Sequence, residues 1–398
     1  MQIHRNYKFR LYPNKSQIDL LNHHFFSSNQ AWNFMLDFKI KELKNQSSLD
    51  KKYRKYTNFK DLYEHTKVDL KSRRIVYNSG VVQDKMRSLD STFKLFYTKK
   101  SEGQGFPKFK TSKDIQQSFV IRNQATSWTS SHLKIFKSPI KWDFHRPIPD
   151  DAKFNGGVVK RESDGKYYVI LNLTIDEEYQ DLETGIECGL DLNVKNIAIS
   201  STDDISRLIK LQDFSKSKYS SQFRKLQTQL SRRYLKKNFS KNTKRLQKQQ
   251  NKIQRKVKNK KEDQYHKISN VLTNNFDRIT LEKLDIKKMK ESQMTHLNRL
   301  ISGVSWNSLI QKIKYKSEMK NKIIREIDPA FTSQRCFKCG NISKNNRKSQ
   351  SDFSCLNCKH TENADINASL NILWYDKWSL EQTALISSWK SESLSIPA

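Results

Sequence analysis

Four of the chain's five cysteines fall into two CxxC pairs, Cys336-Phe-Lys-Cys339 and Cys355-Leu-Asn-Cys358, with 15 residues between them. No other feature limits the fold so tightly. A CxxC knuckle turns the backbone so that two thiolates face one ion, and two knuckles at this separation close a tetrahedron of the zinc-ribbon kind. Four thiolates leave no position for substrate, so the zinc this spacing implies is structural, one ion per chain. A redox CxxC would not come doubled, and the pattern fits a reducing compartment better than a disulfide framework. Cys188 stands apart in an apolar run and reads as a buried bystander.

Charge is the second constraint. Lys and Arg outnumber Asp and Glu by 75 to 41, a formal net charge of +34 over 398 residues. A compact state carrying that excess repels itself unless a polyanion neutralises it, and nucleic acid is the obvious polyanion. From Phe214 to Lys261 there are 18 Lys/Arg and no acid. Without acids, the i,i+4 pairs that normally support a charged helix are missing, so a phosphate-lined partner explains the run better than a merely solvated face. Lys225, Arg232, Arg233, Lys236, Lys237, Lys244 and Arg245 in this stretch are candidate nucleic-acid contacts, as is Arg347 between the knuckles, with Lys338, Lys344 and Lys348 beside it. No run of about 18 apolar residues occurs, and the N-terminal MQIHRNYKFRLYP lacks the apolar stretch of a signal peptide. The expectation is an intracellular protein with no membrane attachment.

Local patterns divide the chain into two or three domains, in keeping with its length. Tyr7–Tyr12 alternates apolar and basic residues as a strand does. Asn14, with Gln17 three residues on, caps a long helix carrying Ile18, Leu21, Phe25, Trp32, Leu36 and Leu43. Val82, Met86, Leu89, Phe93 and Phe96 mark another helix, which ends near GQGFPKFK, so residues 16–110 read as helical. Short β-rich runs follow from Ser118 to Thr174, and the strand at Tyr7 is expected to pair into them, leaving the helices as an insertion. The acidic link Asp176–Gly185 precedes a hairpin in IECGLDLNVKNIAIS. Two basic helices, a strand in RITLEKL, a helix over Ser305–Lys316 and a strand over Lys322–Ile327 complete the pattern. Trp378 and Trp389 lie in a tail without readable chemistry.

Three acids stand out because their neighbours are apolar. Asp191 lies mid-strand in GLDL, Glu282 among the strand residues of ITLEKL, and Asp365 in NADINA at the start of an apolar helical run just after the second knuckle. Each alone has an ordinary explanation as a turn cap, a lysine partner or a helix N-terminal acid. Their order (strand Asp, strand Glu, ribbon, helix Asp) favours a shared site. Phosphodiester hydrolysis by two metal ions needs such carboxylates on rigid elements.

At these residues the sequence resembles the TnpB family of transposon-encoded nucleases, relatives of the type V CRISPR effectors. The likeness covers nearly the whole chain: YKFRLYPNKSQIDLL, GFPKFK, GLDLNVKNIAIS, ITLEKL, FTSQRCFKCG, FSCLNCKH and NADINASLNI. It implies an α+β multidomain protein with an RNase H-like RuvC domain over 184–398 and a four-cysteine zinc ribbon inserted at 330–362. It further implies a wedge β-barrel over 1–15 and 112–183 and a helical recognition domain over 16–111. The implied activity is RNA-guided cleavage of double-stranded DNA beside a short target-adjacent motif. The implied partners are a guide RNA and target DNA, with the protein monomeric on its RNA. Two Mg²⁺ or Mn²⁺ ions on Asp191, Glu282 and Asp365 would do the chemistry, and Zn²⁺ would sit on the four cysteines. A bacterial cytoplasm is the expected location, or a nucleus for a eukaryotic source. Two positions depart from the family pattern: Asn193 replaces a usual glycine, and Ala364 an arginine common before the last acid. A miniature CRISPR effector with an array-derived guide shares the same motifs, whereas a nuclease-inactive repressor predicts a broken triad and a strand-joining transposase needs a further domain.

Overall fold

A strand that alternates Tyr7, Phe9 and Leu11 inward with Lys8 and Arg10 outward needs partners on both edges, and the computed structural model shows which it finds. Residues 2–48, 50, 55–111, 117–122, 126–176, 183–212, 218–237, 240–285, 289 and 303–377 are described. Phe214, Trp378, Trp389 and residues 177–182 of the acidic link lie outside them. The chain divides into two compact units, Met1–Glu178 with Phe239–Lys252, and Tyr179–Asn238 with Ile253–Ala398. Among the described residues no helix is long and apolar enough to cross a membrane.

In the first unit β1 (Gln2–Tyr12) lies at the centre of a seven-stranded antiparallel sheet. The others are β2 (Gln117–Ile121), β3 (Thr126–Trp128), β4 (His132–Ile135), β5 (Ser138–Trp142), β6 (Lys153–Arg161) and β7 (Tyr167–Asp176), in the order β2-β6-β7-β1-β5-β4-β3. β1 therefore does join the later β segment, running antiparallel to β7 from Gln2 to Leu11. The expected barrel is not closed. Among the described residues β2 and β3, the two ends of the order, do not pair. β3 has only three residues, and β2 is covered instead: Lys85 donates to the Ser118 carbonyl at 3.2 Å, and Asp84 pairs with Arg122. An edge protected in this way has no need of closure.

Lys85 and Asp84 belong to α3 (Ser79–Thr98), which packs with α1 (Lys15–Ser47) and α2 (Phe59–Ser72). Asn14 and Gln17 form the expected capping box of α1. This long helix serves two cores. Leu21 and Phe25 join the sheet, while Ala31, Trp32, Met35 and Leu36 meet Leu62, Leu70, Val82 and Leu89. Helix does not extend to residue 110, as the periodicity implied; the chain from Gly105 to Lys110 is neither helix nor strand and is pinned to α1. Trp32 Nε1 donates to the Lys108 carbonyl at 3.0 Å, and the Asn33 amide exchanges two bonds with the Lys110 backbone, both 2.7 Å.

The second unit holds a five-stranded mixed sheet, β10 (Ser206–Lys210), β9 (Asn196–Ser201), β8 (Glu187–Leu192), β11 (Arg278–Glu282) and β12 (Ile323–Ile327), in that order. β8 and β9 form the expected hairpin, and β11 runs parallel to both β8 and β12. One face buries Cys188, Leu190 and Ile279 against Leu272 of α5 (Lys241–Asn275) and Leu309 and Ile313 of α6 (Trp306–Met319). The two basic helices are α4 (Lys218–Leu235) and α5, and α7 (Ala364–Leu373) covers the other face of the sheet.

Candidate active site and cysteine cluster

Register explains why two distant acids meet. Leu190 of β8 pairs with Leu281 of parallel β11, so the next residues, Asp191 and Glu282, stand side by side on the opposite face at the C-terminal ends of their strands. That face receives α7. A Cβ on Gly189 would lie 2.3 Å from the Ser369 carbonyl oxygen and 2.5 Å from the Leu373 nitrogen, so only glycine lets the helix sit directly on β8. Ser369 Oγ also lies 2.6 Å from Ser200 Oγ of β9. With the helix so fixed, its first turn brings Asp365 within electrostatic range of Asp191. Asn363 caps that turn, accepting from the amides of Asp365 at 3.0 Å and Ile366 at 3.3 Å.

Each carboxylate is oriented by a neutral donor or a guanidinium. Asn193 Nδ2 donates to Asp191 at 2.8 Å, Asn196 Nδ2 to Asp365 at 3.2 Å, and Thr332 Oγ1 to Glu282. Arg347 donates to Asp365 Oδ1 at 3.2 Å while also bonding the Gln350 carbonyl at 2.8 Å. Asp191 and Asp365 are 8% and 6% exposed. Burial, followed by repulsion from Glu282, pushes the Asp191 carboxyl up to about 7, against the pull of the Asn193 bond. Burial also raises Glu282, opposed by Thr332 and Arg347. Crowded, desolvated acids of this kind gain from a cation. Among the described residues the three carboxylates do not converge as the four cysteine sulfurs do, which all lie within 4.8 Å of one another.

The cysteines do converge. Cys336 and Cys358 sulfurs are 3.7 Å apart and Cys339 and Cys355 3.5 Å apart, close to the tetrahedral edge of about 3.8 Å set by Zn–S bonds of about 2.3 Å. Gly340 at φ +79° and Lys359 at φ +58° turn the knuckles, and the Cys358 amide donates to Cys355 Sγ at 3.5 Å. The cluster fits a closed zinc site. Cys188 is fully buried in the second unit's core.

Sequence reasoning missed the residues that tie the ribbon to α7. Asn367 and Asn371, both fully buried, are spaced i,i+4 on α7 and donate to the Arg335 carbonyl at 2.8 Å each; Asn371 also reaches the Thr332 carbonyl at 3.0 Å. Asn367 Oδ1 accepts from the Phe337 amide at 3.0 Å, inside the first knuckle. Two asparagines at helical spacing in an apolar run were the available signal.

Of the expected nucleic-acid contacts, Lys225, Arg232, Lys236, Lys237, Lys244 and Arg245 are exposed and Arg233 half-buried. None of these makes an ion pair among the described residues. Arg347 differs, because its guanidinium is held on Asp365.

The sequence matches family models described as a helix-turn-helix domain over residues 1–47, a probable transposase over 171–293 and a Cas12f1-like TNB domain over 306–372. Residues 2–47 form one strand and one long helix here. The putative RNA-guided DNA endonuclease InsQ of Escherichia coli (strain K12) is 30% identical over 312 residues, 74% of each chain. A CRISPR-associated endodeoxyribonuclease Cas12f1 of Sulfoacidibacillus thermotolerans is 44% identical over 75 residues, 19% of this chain and 18% of that one. A cryo-EM structure of a Cas12f1-sgRNA-target DNA complex shares the fold at TM-score 0.51 and 16% identity, covering 93% of this chain and 98% of its own. With sequence motifs, ribbon and relatives in agreement, the chain belongs to the TnpB family.

Proposed function

We propose that the chain is an RNA-guided endonuclease of double-stranded DNA, carried by a transposon and using a RuvC-type two-metal mechanism. One observation carries this reading: three acids from β8, β11 and α7, separated by up to 174 positions in sequence, are oriented on one face of a mixed sheet in a chain of net charge +34. The sheet order and directions suit an RNase H-like RuvC domain over 184–398, with the seven-stranded sheet as the wedge and α1–α3 as the recognition domain. Two divalent ions, Mg²⁺ or Mn²⁺, would be held by Asp191, Glu282 and Asp365 and would supply activation of water and charge stabilisation at the leaving oxygen.

The chain's own residues do the rest. Asn193, Asn196 and Thr332 fix which carboxylate oxygens face the ions. Arg347 balances charge beside Asp365, where the family's usual arginine is replaced by Ala364. The ribbon, holding one Zn²⁺, keeps Thr332 and Arg347 in place. Exposed cations of α4 and α5 suit the backbones of a guide RNA and of target DNA, while base pairing with the guide reads the sequence. The presence of all three acids favours a nuclease over an inactive repressor, and InsQ's longer match favours a transposon-derived guide over an array-derived one.

The deciding experiment is to sequence the RNA that co-purifies with the protein and offer DNA matching it in Mg²⁺. Cutting of matched duplex, and none of mismatched duplex, is expected. Equal cutting by nuclease-treated protein with no RNA added back overturns the guide.

A further inference from the structure

A cavity of about 220 Å³ opens in the first unit between α1, β2, β6 and Lys110. From α1 it is lined by Asn22, Phe26, Asn29 and Gln30, which share one stripe of the helix. Gln117, the first residue of β2, and Arg161, the last of β6, complete the wall. Four carboxamides thus surround one small space. Asn22 Oδ1 accepts from Arg161 at 3.0 Å, which commits its oxygen and leaves its NH₂ to donate. The side chains of Asn29, Gln30 and Gln117 bond no protein group among the described residues, so the fold has no use for their amides there. Phe26 is 44% exposed beside them.

The cations of the wall are held rather than loose. The Arg161 guanidinium stands over the Phe25 ring at 5.7 Å and the Lys110 ammonium over Trp32 at 4.1 Å. Among the described residues the lining is carboxamide, aromatic and cationic. Carboxamides present a donor and an acceptor side by side, which matches the edge of a base. An exposed aromatic ring offers a stacking face for any base, and Arg and Lys suit the phosphate attached to it. The volume is below the roughly 300 Å³ at which pockets for drug-sized ligands begin, which limits the occupant to one ring system. We propose that this cavity receives a single nucleobase turned out of its stack, supplied by the bound guide RNA or by the target DNA. The proposal rests on the nucleic-acid-guided reading above.

Gln117→Ala and the double variant Asn29→Ala with Gln30→Ala remove amides at partly exposed positions without touching either core. Wild type and variants, purified with their RNA, enter two binding readouts that need no cutting, so failure here and failure of the nuclease reading are distinguishable. Selection among duplexes randomised beside the guide-matched stretch reports a DNA base, and chemical modification of the bound RNA reports an RNA base. In one arm a single nucleotide should change: discrimination at one DNA position relaxed roughly 5- to 150-fold, or one protected RNA base made reactive. Phe26→Ala should weaken that same position without changing which base is preferred. Unchanged preference at every DNA position together with unchanged reactivity at every RNA position overturns the proposal. So does an affinity loss that is uniform across sequences, which marks phosphate contact alone.

Discussion

Gly189 and Ser369 are in contact across the sheet-helix interface so closely that a methyl group on Gly189 would overlap the Ser369 carbonyl oxygen. The glycine between Cys188 and Leu190 is therefore what lets α7 deliver Asp365. Gly189→Ala should push the helix off β8 and shift Asp365, and a misplacement of about 1 Å costs catalysis roughly a hundredfold. Zinc content should stay at the wild-type value, because the cysteines lie on the ribbon. Wild-type cleavage by this variant would show that Asp365 is not held through the glycine.

The ribbon bonds two of the three acids, Thr332 to Glu282 and Arg347 to Asp365, and is tied to α7 by Asn367 and Asn371. Cys355→Ser should accordingly lose both zinc and cleavage, since binding energy at such a site is folding energy. Asn371→Leu separates the two effects. It removes the Asn371 donor from the buried Thr332 carbonyl, at roughly 1–3 kcal/mol, while the Arg335 carbonyl keeps Asn367. Zinc retained with cleavage reduced is the expected pair of readings, by metal analysis and by a matched-DNA assay.

Arg347 tests what the ribbon's charge is for. Held on Asp365 and the Gln350 carbonyl, it should affect the rate of cutting more than the grip on DNA. Arg347→Ala is expected to slow cleavage at saturating DNA while changing the dissociation constant little. A drop in affinity with an unchanged maximal rate would return Arg347 to the role of an ordinary phosphate contact.

How far these residues could be read in advance differed by the kind of information involved. Cys336, Cys339, Cys355 and Cys358 were legible because ligand geometry fixes their spacing, and Asn14 with Gln17 because capping is local. The acids were legible only as odd charges in apolar runs. What joins them is the register of β8 on β11 and the glycine at 189, both properties of strands separated by about ninety residues. The open sheet was misread as a barrel because the covering of β2 by Lys85 and Asp84 is a tertiary fact with no signal in the strand itself. The pinning of GFPKFK by Trp32 and Asn33 is of the same kind: the irregular segment was read as a helix end because its partners lie some 75 residues earlier.

Acid should weaken the first unit through His24. It is 7% exposed, its ring packed 5.4 Å from Phe119 and 4.2 Å from Phe136, and among the described residues its Nδ1 has no hydrogen-bond partner. Burial, then the neighbouring His23, lowers its pKa to about 4. Below about 6.5 the unfolded chain takes a proton that the folded chain refuses, so stability falls as pH drops from about 6.5 to about 4, by on the order of 3 kcal/mol. Thermal unfolding followed across that range should show a flatter pH slope for His24→Phe than for wild type. Parallel slopes would acquit His24.

The triad gives the sharpest test of function. Asp191→Ala, Glu282→Ala and Asp365→Ala should each abolish cutting, because losing one bridging carboxylate misplaces an ion that must stabilise the attacking or the leaving oxygen. DNA binding should survive in all three. Affinity comes from Lys and Arg on phosphate and from pairing with the guide, and removing a negative charge that faces DNA lowers repulsion. The crowding that pushes Asp191 up to about 7 adds a second readout. Asp191→Asn keeps the shape and removes the charge that repels Glu282, so it should stabilise the metal-free protein at neutral pH while eliminating activity; a catalytic acid held against repulsion behaves so, and a structural one does not. Mg²⁺ or Mn²⁺ should be required, with Ca²⁺ supporting binding but not turnover. Should Asp191→Ala cut guide-matched DNA at the wild-type rate in Mg²⁺, the RuvC assignment falls, and the two-metal mechanism with it.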